Sequence, residues 1–434
     1  MASKPLFPER QPTREGILPS QEIDDLVQTG KICSYQAITE DQIQPSSIDL
    51  RLSHEAYRVR ASFLPGKSTT LLNKAKSNGM LVETVDISSG AVLAPDEIYI
   101  IPLMESLDLP QDVYGVANPK SSTGRLDIFT RLITEYGDEF DRVQKGHGGA
   151  LYIEVVSQTF PIIVRAGMRL NQLRFGRGRR GTVGEERLRA LGAKDSLMDP
   201  DEENGQARID RGLRLTVDLQ GNGSGIVGYR AKKATQPIDL GLIDHYSIED
   251  FWTPIYKGAE CILEPGEFYI LASKQRVRIP PDLAAEMLPY DLSTQEFRVH
   301  YAGFFDPGFG YGEIGEIPGT RAVLEVRANE MPILLEDDQF VGRLIYYKMS
   351  EKPKRVYGGS IGSNYQQQGL KLSKHFRQDS LASGSISNSS DSTSPSVESR
   401  RLADSDDDAQ TRRSTLTFGP SMVEHSISAR KRED

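Results

Sequence analysis

The chain has 434 residues, a mass of 48.2 kDa, 38% hydrophobic and 26% charged residues, and a formal net charge of −9. The length suits two domains plus a tail rather than one ordinary domain, and the acidic balance argues against a globally basic nucleic-acid binder while leaving room for a local basic pocket. Two cysteines, Cys33 and Cys261, exclude both a disulfide framework and a cysteine-based zinc cluster.

In chain order, residues 1–15 read as a flexible N-terminus. They hold charges and prolines and no apolar core of a secretory signal, and no later apolar run reaches the length of a membrane span. The expectation is a soluble, cytoplasmic protein with no membrane or nucleic-acid partner. Pro19-Ser20-Gln21-Glu22 opens a short helix through Gln28, with Ser20 as its cap. The first domain is set at residues 16–175, where short runs of Val, Ile, Tyr and Leu between Pro, Gly and Asp turns predict strands over 97–102, 150–156 and 161–164. Residues 176–213, rich in Arg, Gly and Glu, read as a solvated linker. The second domain is set at 214–376, with strands over 267–271, 322–326 and 343–348. Ser380 to Ser399 contains ten serines, followed by Asp404, Asp406, Asp407 and Asp408; residues 377–434 therefore read as a disordered tail.

The two domains repeat one pattern. Leu93-Ala94-Pro95-Asp96-Glu97-Ile98-Tyr99-Ile100 matches Leu263-Glu264-Pro265-Gly266-Glu267-Phe268-Tyr269-Ile270 at a shift of 170, and Ala150–Val155 matches Arg321–Val326 at 171. That register carries Pro161 onto Pro332 and Leu173 onto Leu344. An internal duplication of a mainly β domain, a barrel or sandwich, follows.

Three motifs carry candidate chemistry. Lys120-Ser121-Ser122-Thr123-Gly124-Arg125 offers hydroxyls and cations to anionic oxygens, as a polyphosphate requires; a capped turn fits the same pattern. Phe304-Phe305-Asp306-Pro307-Gly308-Phe309 reads as a hairpin whose Asp306 and Phe309 suit a sugar hydroxyl and a base ring; an ordinary hairpin fits too. Glu154 and Glu325 interrupt apolar strands, on the same faces as Tyr152 and Val323 respectively. A carboxylate on an internal face costs several kcal/mol unless paired, so each is either a proton shuttle or a partner for an arginine. Zinc-deaminase and catalytic-triad signatures are absent.

These residues resemble the dCTP deaminase family, which shares the dUTPase-like β-barrel, or jelly-roll, fold. Ile43-Gln44-Pro45-Ser46-Ser47-Ile48-Asp49-Leu50-Arg51 resembles its opening strand, Lys120 to Arg125 its phosphate and water-positioning motif, Asp306 to Phe309 its deoxyribose hairpin, and the following glutamate its acid/base. Gly362 to Gly369, with Tyr365 and Gln368, resembles the lid over the triphosphate. The resemblance covers about Gly16 to Phe376 and looks like the long, two-copy form. It implies that dCTP and water give dUTP and ammonia without a catalytic metal, that Mg2+ rides on the triphosphate, and that the chain forms a homo-oligomer.

The copies have diverged in complementary ways. Ser121, Ser122 and Arg125 fall on Asp291, Leu292 and Gln295, and Asp306-Pro307-Gly308 falls on Glu135-Tyr136-Gly137. This predicts a composite site, with Lys120, Ser121, Ser122 and Arg125 from the first copy and Asp306, Phe309 and Glu325 from the second; the competing arrangement keeps Glu154 as the shuttle. A nucleotide pyrophosphohydrolase, a bifunctional enzyme and a non-catalytic nucleotide sensor remain open at this point.

Overall fold

The computed structural model describes residues 15–194, 196–199, 207–221, 225–289, 297–300, 303–328, 330–358 and 369–377. The expected tail lies outside these residues except for Arg377, and so does nearly all of the expected flexible N-terminus. No described helix is long and apolar enough to cross a membrane.

The strands fall where the short β-branched and aromatic runs stand. In the first half, Ile48–Arg51, Arg169–Arg177 and Val113–Pro119 pair in that order, and Glu55–Val59, Ile98–Asp108, Gly148–Ser157 and Ile128–Thr134 make the facing sheet. The second half repeats both orders with Leu213–Thr216, Phe340–Lys348 and Leu283–Pro289, then with Ile226–Ala231, Phe268–Val277, Thr320–Ala328 and Phe297–His300. Register repeats as well as order. Glu154 lies opposite Ile100, and Glu325 lies opposite Ile270.

Two expectations change. Ser20 is the first residue of the helix Ser20–Gln28, not its cap; Pro19 stands at the cap position, where its missing N–H costs nothing. Residues 176–213 are not a solvated linker. They contain the helix Glu185–Gly192, and Val183, Leu188, Leu197 and Met198 are buried in the second core. A sparse apolar set on an Arg- and Glu-rich segment is enough to dock it, which average composition conceals. Arg177 pairs with Glu22, and Arg180 pairs with Glu286 while stacking over Tyr347, so this basic run is engaged by carboxylates.

The two halves also share a core. One apolar core unites first-half residues such as Leu93, Leu151 and Phe160 with Tyr229, Phe251, Trp252, Val323 and Phe376 of the second. Phe160 meets Trp252 edge-on with centroids 5.5 Å apart. The second-half segment Ile238–Asp239 adds in parallel to the edge strand Ile162–Val164, and Asp239 takes both arms of Arg165 at 2.5 and 2.7 Å.

Alternation along Thr320–Ala328 explains the arrangement. Ala322, Leu324, Val326 and Ala328 enter the second half's own core. Val323, Glu325 and Arg327 point the other way, toward the first half. Val323 joins the shared core. Arg327 reaches the fully buried Asp127, with Nη2 to Oδ2 at 2.5 Å and Nε to Oδ1 at 3.2 Å, and also donates to Thr159 at 3.1 Å. Removing one partner of such a pair strands a charge in low dielectric. Arg327→Ala is therefore expected to lower stability by about 3–5 kcal/mol, read as a lower urea midpoint at unchanged slope; an unchanged midpoint would mean that the pair does not hold the halves together.

Candidate active site

The strand Val113–Pro119 ends at a proline, and the chain turns at once into the short helical segment Ser121–Gly124. The N–H groups of Thr123 and Gly124 donate to the carbonyl of Lys120 at 2.8 and 3.0 Å, and that of Arg125 to Ser121 at 3.1 Å. The turn thus has two sides. Ser121 is exposed at its start, whereas Ser122 and Arg125 are buried.

Gly124 faces Glu325. A Cβ added at Gly124 would lie 2.8 Å from the Glu325 carboxyl carbon, so glycine is required for the carboxylate to approach the backbone this closely. Glu325 is 6% exposed. Burial pushes its carboxyl well above the usual carboxylate range, the Arg125 guanidinium opposes that rise, and Asp127 reinforces it. A buried carboxyl on which an adjacent cation and anion act in opposite senses is suited to pass protons.

Glu154 sits at the equivalent register in the first half and has a different environment. It is 1% exposed and accepts from Arg131 Nε at 2.9 Å and Nη2 at 2.6 Å. Arg131 also packs over the Phe140 ring at 3.7 Å and donates to Ser62. Of the two readings of a carboxylate on this face, Glu154 fits the arginine partner. At the position of the second half's hairpin, Glu135 is likewise engaged, accepting from the Tyr152 hydroxyl at 2.6 Å and from the Leu71 N–H at 3.3 Å.

Asp306 is buried at the boundary between the halves. Ser46 donates its hydroxyl to Oδ1 at 2.5 Å, and Arg174 donates to the same oxygen at 3.3 Å. Arg174 also donates to the carbonyls of Ala285 and Phe305 and stacks over Phe304 at 4.0 Å. Burial lowers its guanidinium pKa, while Asp306 and Glu286 oppose that shift. Phe309 lies in the second core against Phe305, with centroids 5.1 Å apart and rings nearly perpendicular, and against Tyr357. Lys120 forms an ion pair with Asp49. Burial raises the Asp49 carboxyl against that ammonium, and the charge of Asp306 adds to the rise.

The structure therefore brings Lys120, Ser121, Ser122 and Arg125 of the first half into one region with Glu325 and Asp306 of the second, and sets Glu154 apart in an ion pair. Tyr365 and Gln368 lie outside the described residues. The segment at 369–377 lies against the turn. Arg125 donates to the Lys371 carbonyl at 2.8 Å, and Ser373 donates its hydroxyl to the Ser122 carbonyl at 2.8 Å. Beside it is a cleft of about 280 Å³ lined by residues that include Lys120, Ser122, Arg169, Leu240 and Lys374. Sequence reasoning missed Ser46, Asp127, Arg174 and Arg327. The signal was present for the two arginines, since each is a charge inside an apolar strand, the criterion that singled out the glutamates.

The 2'-deoxycytidine 5'-triphosphate deaminase (DCD) N-terminal domain matches residues 14–179, and the C-terminal domain of the same family matches residues 184–376. The crystal structure of 2'-deoxycytidine 5'-triphosphate deaminase from Agrobacterium tumefaciens superposes with a TM-score of 0.72 at 46% identity, covering 77% of this chain and 99% of that one. The "dCTP deaminase, dUMP-forming" of Halobacterium salinarum is 31% identical over 140 residues, which make up 32% of this chain and 66% of that protein. The "dCTP deaminase" of Shewanella amazonensis is 26% identical over 163 residues, 36% of this chain and 80% of that protein. With both domain descriptions matched in order, and a solved relative covered almost end to end, the chain belongs to the dCTP deaminase family.

Proposed function

We propose that the chain deaminates dCTP hydrolytically to dUTP and ammonia, at a site built from both halves, and that Glu325 is the proton shuttle. The observation that carries this reading is the Glu325 carboxyl against Gly124, buried, with Arg125 and Asp127 acting on it from opposite electrostatic sides. The shared strand order and near-constant shift support an internal duplication, after which the two copies took different parts of one site.

The steps balance as follows. Ionised Glu325 takes a proton from a water held by Ser121 and Arg125, and the resulting hydroxide adds to C4 of the cytosine. Glu325 delivers that proton to N3. A second proton, taken from the new C4 hydroxyl, goes to the exocyclic amine; the C4–N bond breaks, ammonia leaves, and the C4 carbonyl forms. Asp306, fixed by Ser46 and Arg174, accepts from a deoxyribose hydroxyl. Mg2+ belongs to the triphosphate and takes no part at C4. The dUTP formed would supply dUMP and then dTTP synthesis.

Glu325→Gln is expected to lower kcat on dCTP by about 10²- to 10⁴-fold, the usual worth of a positioned acid/base, while Glu154→Gln stays within a few-fold of the parent. Equal losses, or a loss in Glu154→Gln alone, would remove Glu325 from its role. The pH profile follows from the raised Glu325 pKa. The carboxyl must be ionised to accept the first proton, so kcat falls as pH drops through a limb lying above the ordinary carboxylate range; an acid limb at an unperturbed glutamate pKa would contradict the buried placement.

Several relatives bear the name "dCTP deaminase, dUMP-forming", which motivates the second reading, a bifunctional enzyme that also releases pyrophosphate. Incubation with dCTP and with dUTP separately, measuring ammonia and pyrophosphate, separates the two. Ammonia from dCTP and no pyrophosphate from either substrate is the expected result; binding of dCTP without ammonia release would leave a sensor.

A further inference from the structure

Two contacts tie the Glu325 strand to the first half, and they run in step. Gly124 meets Glu325; further along the turn Asp127 meets Arg327, the next residue on the same face of the strand. The backbone of Asp127 belongs to the turn. Its N–H donates to the Gly124 carbonyl at 2.9 Å, and its own carbonyl accepts from the Gln158 N–H at 3.0 Å. Its φ of 59° lies in the left-handed region, where a side chain carries a cost that glycine does not. Full burial of the carboxylate adds a second cost, which its partners have to offset. Oδ1 accepts from Arg327 Nε at 3.2 Å, and Oδ2 accepts from Arg327 Nη2 and from the Thr159 hydroxyl, each at 2.5 Å.

The same carboxylate reaches Glu325 through its charge. Arg125 and Asp127, both on the turn, act on the Glu325 carboxyl in opposite senses. Its own strand contributes Arg327 on that face, and its cross-strand neighbours are Ile270 on one side and His300 on the other. Arg327 and Thr159 together fix where the Asp127 charge stands, because each holds Oδ2 and Arg327 also donates to the Thr159 hydroxyl at 3.1 Å.

We propose that Asp127, locked in place by Arg327 and Thr159, is a positioning residue for the deamination, a fixed anion held near the shuttle carboxyl to help it take the proton from water. The proposal rests on the reading of Glu325 as the shuttle. It goes beyond the docking role of the ion pair. Docking needs only that Asp127 and Arg327 match each other, whereas this role needs position 127 to be negative. Phe297 stands at the Asp127 position of the second copy and Val156 at the Arg327 position of the first, so neither partner recurs in the other copy.

The test uses the full chain with Asp127→Asn and with Asp127→Asn/Arg327→Gln. Asparagine keeps the side-chain shape and tolerates the left-handed backbone. The single variant strands the Arg327 charge and lowers the urea midpoint; the double variant removes both charges and recovers most of that loss. In the pH profile the two behave alike. Without the anion Glu325 gives up its proton at lower pH, so the acid limb of kcat moves down by about one pH unit in both variants, with KM for dCTP within twofold. Both then keep a larger share of their maximal kcat than the parent at pH values below the parent's limb, which loosened packing would not produce. A limb that stays in place or moves up in the double variant overturns the proposal and leaves the pair as a docking contact. Infrared titration of the carboxyl band that Glu325→Gln removes reads the same shift without substrate. If the parent released no ammonia from dCTP while this band still titrated lower in the variants, the shuttle reading would fail and the hold of Asp127 on that carboxyl would stand. If ammonia release were normal and neither limb nor band moved, the role of Asp127 would fail and the shuttle reading would stand.

Discussion

A carboxylate in the middle of a β-strand is a constraint that the surrounding structure has to meet. Thr320–Ala328 alternates strictly between two environments, and one of them belongs to the other half of the chain. On that face Val323 needs apolar cover, Glu325 needs something that tolerates a carboxyl, and Arg327 needs an anion. The first half supplies all three in order: a shared core, a glycine turn beside Arg125, and Asp127. The proposed chemistry is therefore inseparable from how the halves dock. A shift of one residue along this strand would present Leu324 and Val326 to the turn and bury Glu325 in the second core.

The same constraint is met differently in the first half. Glu154 occupies the matching register, but the face it shares with Tyr152 is covered by the chain's own segments, including the helix Leu71–Ser77 and Phe140, in a small separate core. Its cross-strand neighbour is Arg131, which holds the carboxylate from two nitrogens. The cross-strand neighbour of Glu325 is His300. Two copies of one strand pattern thus lead to an ion pair in one place and a candidate acid/base in the other. What distinguishes them is the cover over the strand, not the strand itself.

This is also where the sequence stops being legible. Strand positions, the repeat and the turn motifs follow from alternation, Pro and Gly punctuation and a near-constant shift, all of which are local. Which glutamate meets Ser121 and Arg125 depends on which face each half turns toward the other, and alternation alone cannot tell a solvent face from a docked one. Divergence between the copies pointed to the composite arrangement because Asp291 and Glu135 stand where the motif residues are missing. Residues 176–213 failed for the opposite reason. Their charge-rich composition dominates any average, while the few apolar positions that dock them, Val183 and Leu188 among them, are too sparse to register.

Carrying both copies on one chain changes what each surface has to do. Where identical subunits pack head to tail, every subunit must present both sides of the contact, so a residue placed for one side also appears on the other. Here the two sides are independent. Asp127 has Phe297 as its counterpart at the 170 shift, and Arg327 has Val156 at 171, so the ion pair beside Glu325 is written once and in one direction. Ser46 and Arg174 support Asp306 in the same one-way manner. Losing the hydroxyl and cation set from the second copy, and the Asp-Pro-Gly hairpin from the first, would remove nothing from the proposed site, which draws each part from a different half. Under the proposed composite site, Glu135 and Glu154 are left to serve the local fold, and the divergence that looks like decay in either copy alone reads as division of labour across the pair.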